Sequence, residues 1–228
     1  MTEARAFDPV WEAKYACGHT QRYPWDAVVS FVFRHAPKDR PRGEVSILEV
    51  GCGTGANLWF AAREGFAVAG VDASPSAVAA ARARFAAEGL AGDLRVGDFT
   101  ALPFADASFD LAIDRCALTC AGRSAARFAI AEVRRVLRPG GRFYFNPYSD
   151  RHSSAASGHA GADGLTLDIA EGTLVGAGQL CFYGRQQVVD ALADWRLVAL
   201  QHMEYADLLV PGWLNHAEWR AVAERPDA

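Results

Sequence analysis

Four acidic residues occupy positions from which they could bind a polar ligand together. Glu49, Asp72, Asp98 and Asp114 each stand at or beside the end of a short apolar run of the kind that forms a buried strand. In a doubly wound α/β sheet, ligands bind outside the carboxyl ends of the strands, near the point where the strand order reverses. We therefore expect the four carboxylates to border one binding site.

A glycine-rich turn follows the first of these runs. The segment from 47 to 55, ILEVGCGTG, places Gly51, Gly53 and Gly55 directly after the strand. Glycine adopts left-handed backbone conformations and lets a ligand approach the main chain closely. The GxGxG spacing differs from the GxGxxG of dinucleotide enzymes, and the turn lacks the lysine of a phosphate-binding P-loop. The turn indicates a nucleotide-like cofactor, although an ordinary glycine-rich loop has the same composition.

The second and third acidic positions extend this interpretation. Asp72 follows the glycines by about 20 residues, where a carboxylate can accept hydrogen bonds from both hydroxyls of a ribose. The alternative for Asp72 is a helix N-cap, but Ser74 already suits that position. Asp98 and Phe99 could bond an adenine amino group and pack against its ring. The alternative for this pair is a turn aspartate beside a core phenylalanine.

Several segments of the chain, taken together, resemble the class I S-adenosylmethionine-dependent methyltransferases. They are ILEVGCGTG at 47–55, GVDAS at 70–74, GDF at 97–99, LPF at 102–104, FDL at 109–111 and VLRPGG at 136–141. All occur in the order and at the spacing of that family, and the resemblance covers about residues 45–147. It implies a doubly wound, Rossmann-like α/β fold with seven mostly parallel strands, of which the last is antiparallel.

The resemblance also implies S-adenosylmethionine as the cofactor. Glu49 is then expected near the methionine amino group, Asp72 at the ribose hydroxyls and Asp114 with its backbone near the amino group. Tyr15 is a further candidate to lie over the cofactor. The full set expected to contact the cofactor is Tyr15, Glu49, Gly51, Gly53, Asp72, Ala73, Asp98, Phe99 and Asp114.

Acceptor recognition is expected from residues outside the cofactor core. Arg115 and Arg151 could hold a carboxylate or phosphate, since guanidinium groups bind such anions in bidentate fashion. Asn146 and Tyr148 follow the fifth strand and are expected to line the pocket. His152 is the candidate general base, because the pKa of histidine lies near neutrality. The alternatives are salt bridges for the arginines and a merely solvated loop position for His152.

Strands and helices alternate along the chain in the way that such a site requires. We predict strands at 45–50, 67–72, 93–97, 109–114 and 142–147, with helices at 56–64, 74–88 and 123–137. Continuous apolar strands that alternate with helices imply a parallel sheet covered on both faces. Before this core, Asp8 and Pro9 are typical of a helix start, and a second, apolar helix is predicted over 25–35.

The pattern loosens after the fifth strand. Residues 149–164 have no periodicity and are typical of a functional loop. We predict two more strands at 179–183 and 196–205, a helix at 185–194 between them and a final helix at 214–224. A single domain results: helices in 1–44 cap the site, 45–147 bind the cofactor, and 148–228 supply a substrate loop and the last strands.

Composition and charge restrict the partners. With 228 residues, 51% of them hydrophobic, one domain with a sizeable core is expected. The net charge of −4 argues against nucleic acid, because phosphate binding needs a clustered basic surface. No apolar run reaches the roughly 20 residues that span a bilayer, so no membrane partner is expected. Five scattered cysteines without a CxxC pair argue against zinc and favour a reducing, cytoplasmic compartment.

The sequence thus predicts a metal-independent methyltransferase of a small molecule, acting as a monomer or homodimer. The methylated atom (N, O or S) stays open. One alternative is a protein that binds S-adenosylmethionine or S-adenosylhomocysteine without transferring the methyl group. A less favoured alternative is an NAD(P)-dependent oxidoreductase, against which the GxGxG spacing and the Asp98–Phe99 pair argue.

Overall fold

The computed structural model describes residues 7–209 and 215–227. The helices are α1 (Pro9–Ala16), α2 (Asp26–His35), α3 (Ala56–Arg63), α4 (Pro75–Ala87), α5 (Arg123–Val136) and α6 (Arg185–Ala191). The strands are β1 (Ser46–Val50), β2 (Ala67–Asp72), β3 (Asp93–Val96), β4 (Phe109–Arg115), β5 (Leu137–Asn146), β6 (His159–Ala160), β7 (Leu165–Leu167), β8 (Leu180–Cys181), β9 (Arg196–Ala206) and β10 (Asn215–Glu224).

Seven strands form one sheet in the order β3-β2-β1-β4-β5-β10-β9. Strand β1 pairs in parallel with β2 and β4, and β3 and β5 continue the parallel part on either side. Strand β10 is antiparallel to both β5 and β9. The doubly wound fold with an antiparallel last strand is therefore confirmed. The strand order reverses between β1 and β4, so ligands are expected at the carboxyl ends of these two strands.

Helices cover both faces of the sheet and bury its central strands, whereas the edge strand β9 is mainly exposed. Ile47 packs on one side with α2, α3 and α4, whereas Leu48 packs on the other with α5 and α6. Both side chains are 0% exposed, because β1 lies in the middle of the sheet. This two-sided burial explains why the strand is a continuous apolar run instead of an alternating one.

Two predicted helix starts are confirmed. The Asp8 carboxylate accepts a hydrogen bond from Val10 N at 3.0 Å and caps α1. The Ser74 hydroxyl accepts one from Ala77 N at 3.0 Å and caps α4. A proline stands in the first turn of each helix, where its missing N–H costs no hydrogen bond. Both caps lie beside the carboxyl end of the sheet.

The predicted final helix at 214–224 is wrong. Residues 215–224 form β10, which lies between β5 and β9. Because β10 has a strand on each side and both faces covered, most of its side chains are buried and no two-residue alternation marks it as a strand. Its alanines, glutamates and arginine have helix propensity, but tertiary pairing outweighs it. Residue 214 lies outside the described residues.

The predicted strand at 179–183 does not join the main sheet. Only Leu180–Cys181 is a strand, and it pairs with β7 in a small sheet of order β6-β7-β8. This sheet follows β5, and only β6 falls within 149–164, the segment predicted as a functional loop; β7 and β8 lie after it. The small sheet and its loops carry a small core of their own that includes Ile169, Leu174 and Phe182. The segment thus adds a wall above the end of β5.

Candidate active site

Two adjoining cavities open at the carboxyl ends of β1, β2 and β4. The larger has a volume of about 370 Å³, and the smaller one of about 110 Å³. Both lie at the strand-order reversal, where ligands are expected in this kind of sheet. The residues that line both cavities, and therefore surround their junction, are Tyr15, His19, Gln21, Trp25, Gly51 and Arg115.

Glu49 lies on the wall of the smaller cavity and is only 2% exposed. Asn57 Nδ2 donates a hydrogen bond to its Oε1 at 2.7 Å, whereas the buried Oε2 has no hydrogen-bond partner among the described residues. Burial raises the pKa of Glu49 to about 8, against the opposing hydrogen bond from Asn57. A buried carboxyl group with a free oxygen is stabilised in its charged form by a cation placed beside it.

The glycine turn allows β1, α1 and the β4 turn to meet. Gly51 and Gly53 have positive φ angles of 66° and 51°. A Cβ atom on Gly53 would lie 2.7 Å from Tyr15 Oη, and one on Gly51 would lie 2.1 Å from the Cβ of Ala117. Neither position has room for a side chain, and both conformations favour glycine.

Asp72 fixes the glycine turn from the end of β2. Its Oδ2 accepts a hydrogen bond from Gly53 N at 2.8 Å, and its Oδ1 accepts one from Ser74 N at 2.8 Å. Burial raises the pKa of Asp72, although these two N–H donors oppose the rise. Each oxygen keeps a lone pair for a ligand. Asp72 lines the larger cavity with Ala73 and Phe99.

The other two acidic candidates lie elsewhere. Asp98 is exposed and accepts hydrogen bonds from the backbone and hydroxyl of Thr100, at 2.7 and 2.8 Å. Asp114 is 0% exposed, and its Oδ1 accepts bonds from Ala117 N and Leu118 N at 2.9 Å each. Burial raises the pKa of Asp114 to about 7. Asp114 shapes the turn after β4, and neither carboxylate lines a cavity.

Helix α1 covers the larger cavity and is fastened at two points. Asp8 Oδ2 accepts a hydrogen bond from Gln179 N at 2.9 Å, which joins the helix start to the segment before β8. Glu12 bonds the hydroxyls of Ser74 and Ser76 at the start of α4. These contacts hold Trp11 and Tyr15 on the cavity wall.

Arg115 ends β4 at the junction of the two cavities and is 10% exposed. Its Nη2 lies 3.2 Å from Glu218 Oε2, its Nη1 contacts Cys116 Sγ, and its guanidinium lies 4.1 Å from the centre of the Trp25 ring. Cys116 has a φ of 57°, a left-handed conformation that is rare outside glycine and often found at functional sites. This turn and the ion pair hold the guanidinium at the junction.

Glu218 is shared by several partners. Arg220 Nε lies 2.7 Å from its Oε1, and His216 Nε2 lies 3.5 Å from its Oε2. Burial alone would raise the pKa of Glu218, but the hydrogen bond from His216 and the charges of Arg115 and Arg220 outweigh it and lower the pKa to about 2. Two guanidinium groups therefore share one carboxylate.

The residues after β5 separate into cavity and surface positions. Tyr148 lines the larger cavity. Asn146 is buried, and its Nδ2 donates to Trp219 O at 2.6 Å, which ties β5 to β10. Arg151 is 69% exposed and pairs with Glu204 at 2.7 Å, away from either cavity wall.

His152 is buried and lies outside both cavity walls, instead of being solvated on the loop. Its Nδ1 accepts from Ser154 N at 3.0 Å, and its Nε2 lies 3.3 Å from His216 Nδ1. Burial lowers the pKa of His152 to about 4, so the ring is neutral at pH 7. These contacts hold the His152 ring beneath Tyr148, and the centres of the two rings lie 5.7 Å apart.

Several site residues escaped the sequence interpretation. Lys14 and His19 line the larger cavity from α1 and the following loop, and Glu218 supports Arg115 from β10. Lys14 and His19 stand near predicted helix α1, yet no motif marks them. The available signal for Glu218 was its position inside the mainly apolar run from Ala217 to Ala223, because a buried charge needs a partner.

The cavities fit the chemistry of S-adenosylmethionine. The smaller one contains the unpartnered Glu49 oxygen, which a primary ammonium group would satisfy. The larger one contains Asp72 and the Phe99 ring, which suit a ribose and an adenine. Within the described ranges, no group of three histidine, cysteine or acidic side chains is arranged to hold a metal ion. None of the described helices is long and apolar enough to cross a bilayer.

Comparisons with known proteins agree with this fit. Residues 47–141 match the family model of a methyltransferase domain. A malonyl-[acyl-carrier protein] O-methyltransferase of Erwinia pyrifoliae is 38% identical over 120 residues, covering 49% of this chain and 40% of that protein. A human thiol S-methyltransferase is 35% identical over 111 residues, covering 45% of this chain and 42% of that protein. The chain thus spans about two fifths of the length of these curated relatives.

A solved structure extends the likeness to nearly the whole fold. The 1,6-didemethyltoxoflavin-N1-methyltransferase of Burkholderia thailandensis, with 1,6-didemethyltoxoflavin and S-adenosylhomocysteine bound, superposes with a TM-score of 0.63. The match covers 88% of this chain and 77% of that one, at 19% sequence identity. At this identity the likeness establishes the fold.

Proposed function

We propose that the chain is a class I S-adenosylmethionine-dependent methyltransferase, and that it transfers the cofactor's methyl group to a small molecule bound in the larger cavity. The observation that carries this proposal is the buried Glu49 carboxyl group, whose Oε2 has no hydrogen-bond partner among the described residues. A buried acceptor without a partner is costly, and a cationic ligand group removes that cost.

Each part of the site has a task in this proposal. Glu49 binds the amino group of the cofactor, Asp72 binds the ribose hydroxyls, and Phe99 packs against the adenine. The cofactor supplies a methyl group on a sulfonium, so transfer is an in-line displacement that needs little covalent help. Trp11 and Tyr15 close the cavity and exclude water, and the protein contributes mainly positioning and desolvation.

The acceptor is proposed as a small molecule because the larger cavity has a volume of about 370 Å³. The Erwinia relative methylates an acyl-carrier-bound malonyl group, the human relative methylates thiols, and the Burkholderia protein methylates 1,6-didemethyltoxoflavin. We further propose that the protein works as a monomer or homodimer. A reducing, cytoplasmic compartment is proposed because all five cysteines are free thiols.

The test is methyl transfer from isotopically labelled S-adenosylmethionine to a panel of small acids, thiols, phenols and amines. Mass spectrometry should detect one labelled methyl group on an acceptor and an equal amount of S-adenosylhomocysteine. A protein that binds S-adenosylhomocysteine but methylates no member of the panel would favour the binding-only alternative.

A further inference from the structure

The part of the larger cavity that remains beyond Asp72, Ala73 and Phe99 has mainly apolar walls. Trp11 covers it from α1, Tyr148 borders it after β5, and Leu174 and Leu180 close it from the segment around the small sheet. Cys116 and Cys120 add two thiols whose pKa values are raised by burial, so both are neutral at pH 7. A ligand for this space must therefore be largely apolar.

The acidic groups of this cavity are already bound by the protein. Asp8 accepts hydrogen bonds from Val10 N and Gln179 N, one on each oxygen. Asp72 likewise accepts one N–H on each oxygen. Both carboxylates therefore have their charge partly satisfied by backbone donors.

The basic groups are less well compensated. Lys14 lines the cavity over the Trp11 ring and has no carboxylate partner in the part of the chain that the structure describes. Arg115 shares Glu218 with Arg220, so the three side chains carry a net charge of +1. Its Nε–H has no partner among the described residues and remains available. The cavity therefore presents excess positive charge at its junction with the smaller one.

We propose that Arg115 binds the carboxylate of the methyl acceptor, and that the acceptor is a small, mainly apolar carboxylic acid. This inference rests on the function proposed above. A carboxylate matches the planar guanidinium group, and an apolar body matches the walls formed by Trp11, Leu174 and Leu180. An amine is disfavoured there, because its ammonium group would meet the charges of Lys14 and Arg115.

Transfer to a carboxylate requires no general base. One carboxylate oxygen forms a bond to the methyl carbon as the carbon–sulfur bond breaks, and the bonding electron pair stays on sulfur. The products are a methyl ester and S-adenosylhomocysteine, and no proton moves. This chemistry needs no proton acceptor from the cavity wall, which excludes His152, carries neutral thiols and has His19 as its one histidine among the described residues.

The test uses three fluorinated probes of one shape: a fluorophenylpropionate, the matching alcohol and the matching amine. Their binding to the protein saturated with S-adenosylhomocysteine is measured by fluorine NMR. We expect the acid to bind at least about 10-fold tighter than the alcohol or the amine, because a charge-assisted hydrogen bond raises affinity by about this factor. Arg115→Met should lower the affinity for the acid about 10- to 100-fold, and Arg115→Lys by less.

The matched control is Arg34→Met, which removes the same charge from an exposed position on α2, and it should bind the acid as the wild type does. If Arg115→Met does not fold, Arg115→Lys replaces it in the test, because the lysine keeps a cationic partner for Glu218. Equal binding of the three probes, or no binding of the acid, overturns the proposal. It is also overturned if Arg115→Met weakens S-adenosylhomocysteine but not methylthioadenosine, since Arg115 would then bind the cofactor's own carboxylate. Failure of the wild type to bind S-adenosylhomocysteine would instead refute the proposed function.

Discussion

Replacing Glu49 by glutamine should separate the charge of the cofactor site from its shape. In the unliganded protein the pKa of Glu49 is about 8, so the carboxyl group is about 90% protonated at pH 7. A bound ammonium group should return this pKa toward its ordinary value of 4.5. Binding of S-adenosylhomocysteine at pH 7 should then release about 0.9 proton from Glu49.

The same linkage makes the affinity depend on pH. Below the pKa of Glu49, the ionised fraction rises about tenfold per pH unit, from about 1% at pH 6 to about 50% at pH 8. The affinity for S-adenosylhomocysteine should therefore rise by up to about 50-fold over this range. Glu49→Gln cannot ionise, and it loses a charge-assisted hydrogen bond of about 1.5–3 kcal/mol. At pH 8 its affinity should be about 10- to 150-fold lower than that of the wild type.

Isothermal titration calorimetry in two buffers of different ionisation enthalpy measures both quantities. The control is Glu44→Gln, an exposed position outside both cavities, which should keep the affinity and the proton release of the wild type. An unchanged affinity in Glu49→Gln, or proton release equal to that of the wild type, would refute the assignment of Glu49 to the ammonium group.

Three further outcomes are expected. Asp72→Asn should weaken S-adenosylhomocysteine binding by on the order of 1–3 kcal/mol in calorimetry, and an unchanged affinity would remove Asp72 from the ribose. Gly53→Ala should lower the thermal midpoint of unfolding and the affinity for S-adenosylhomocysteine, because the added Cβ would clash with Tyr15 Oη. Adding Tyr15→Phe to this variant should restore part of the affinity, although the backbone strain at residue 53 stays. No restoration would contradict the clash. The raised pKa values of Glu49 and Asp114 mean that the folded state binds their protons more tightly than the unfolded chain does. The free energy of unfolding should therefore fall as pH rises from about 5 to 8. Urea titrations should show a smaller fall in Glu49→Gln than in the wild type, and an equal fall would contradict the burial argument.

The geometry of the glycine turn and its contact with Asp72 could be predicted, because local sequence dictates them. A glycine with positive φ after β1 and an acidic residue at the end of β2 are requirements of short segments, and the sheet order follows from alternating strands and helices. The sequence therefore predicts that Gly53 and Asp72 lie side by side, and in the structure Gly53 N donates a hydrogen bond of 2.8 Å to Asp72 Oδ2.

The acceptor half depends on contacts between distant parts of the chain, which no local pattern records. Arg115 and Glu218 are about 100 residues apart, and their pairing follows from the insertion of β10 beside β5. Arg151 and His152 were expected on the cavity wall, but the structure places neither there, for a related reason. The turn after β5 directs Arg151 outward to Glu204 and His152 inward beneath Tyr148. Strand β10 itself was predicted as a helix, because burial of most of its side chains on both faces hides the alternation that identifies a strand.

We propose above all that the cavities at the carboxyl ends of β1, β2 and β4 bind S-adenosylmethionine. Calorimetric titration of the wild type with S-adenosylhomocysteine and, separately, with NAD tests it most directly. Saturable one-to-one binding of S-adenosylhomocysteine, lost or weakened in Glu49→Gln and Asp72→Asn, with no heat from NAD, is the predicted result. Binding of NAD without binding of S-adenosylhomocysteine would contradict the account.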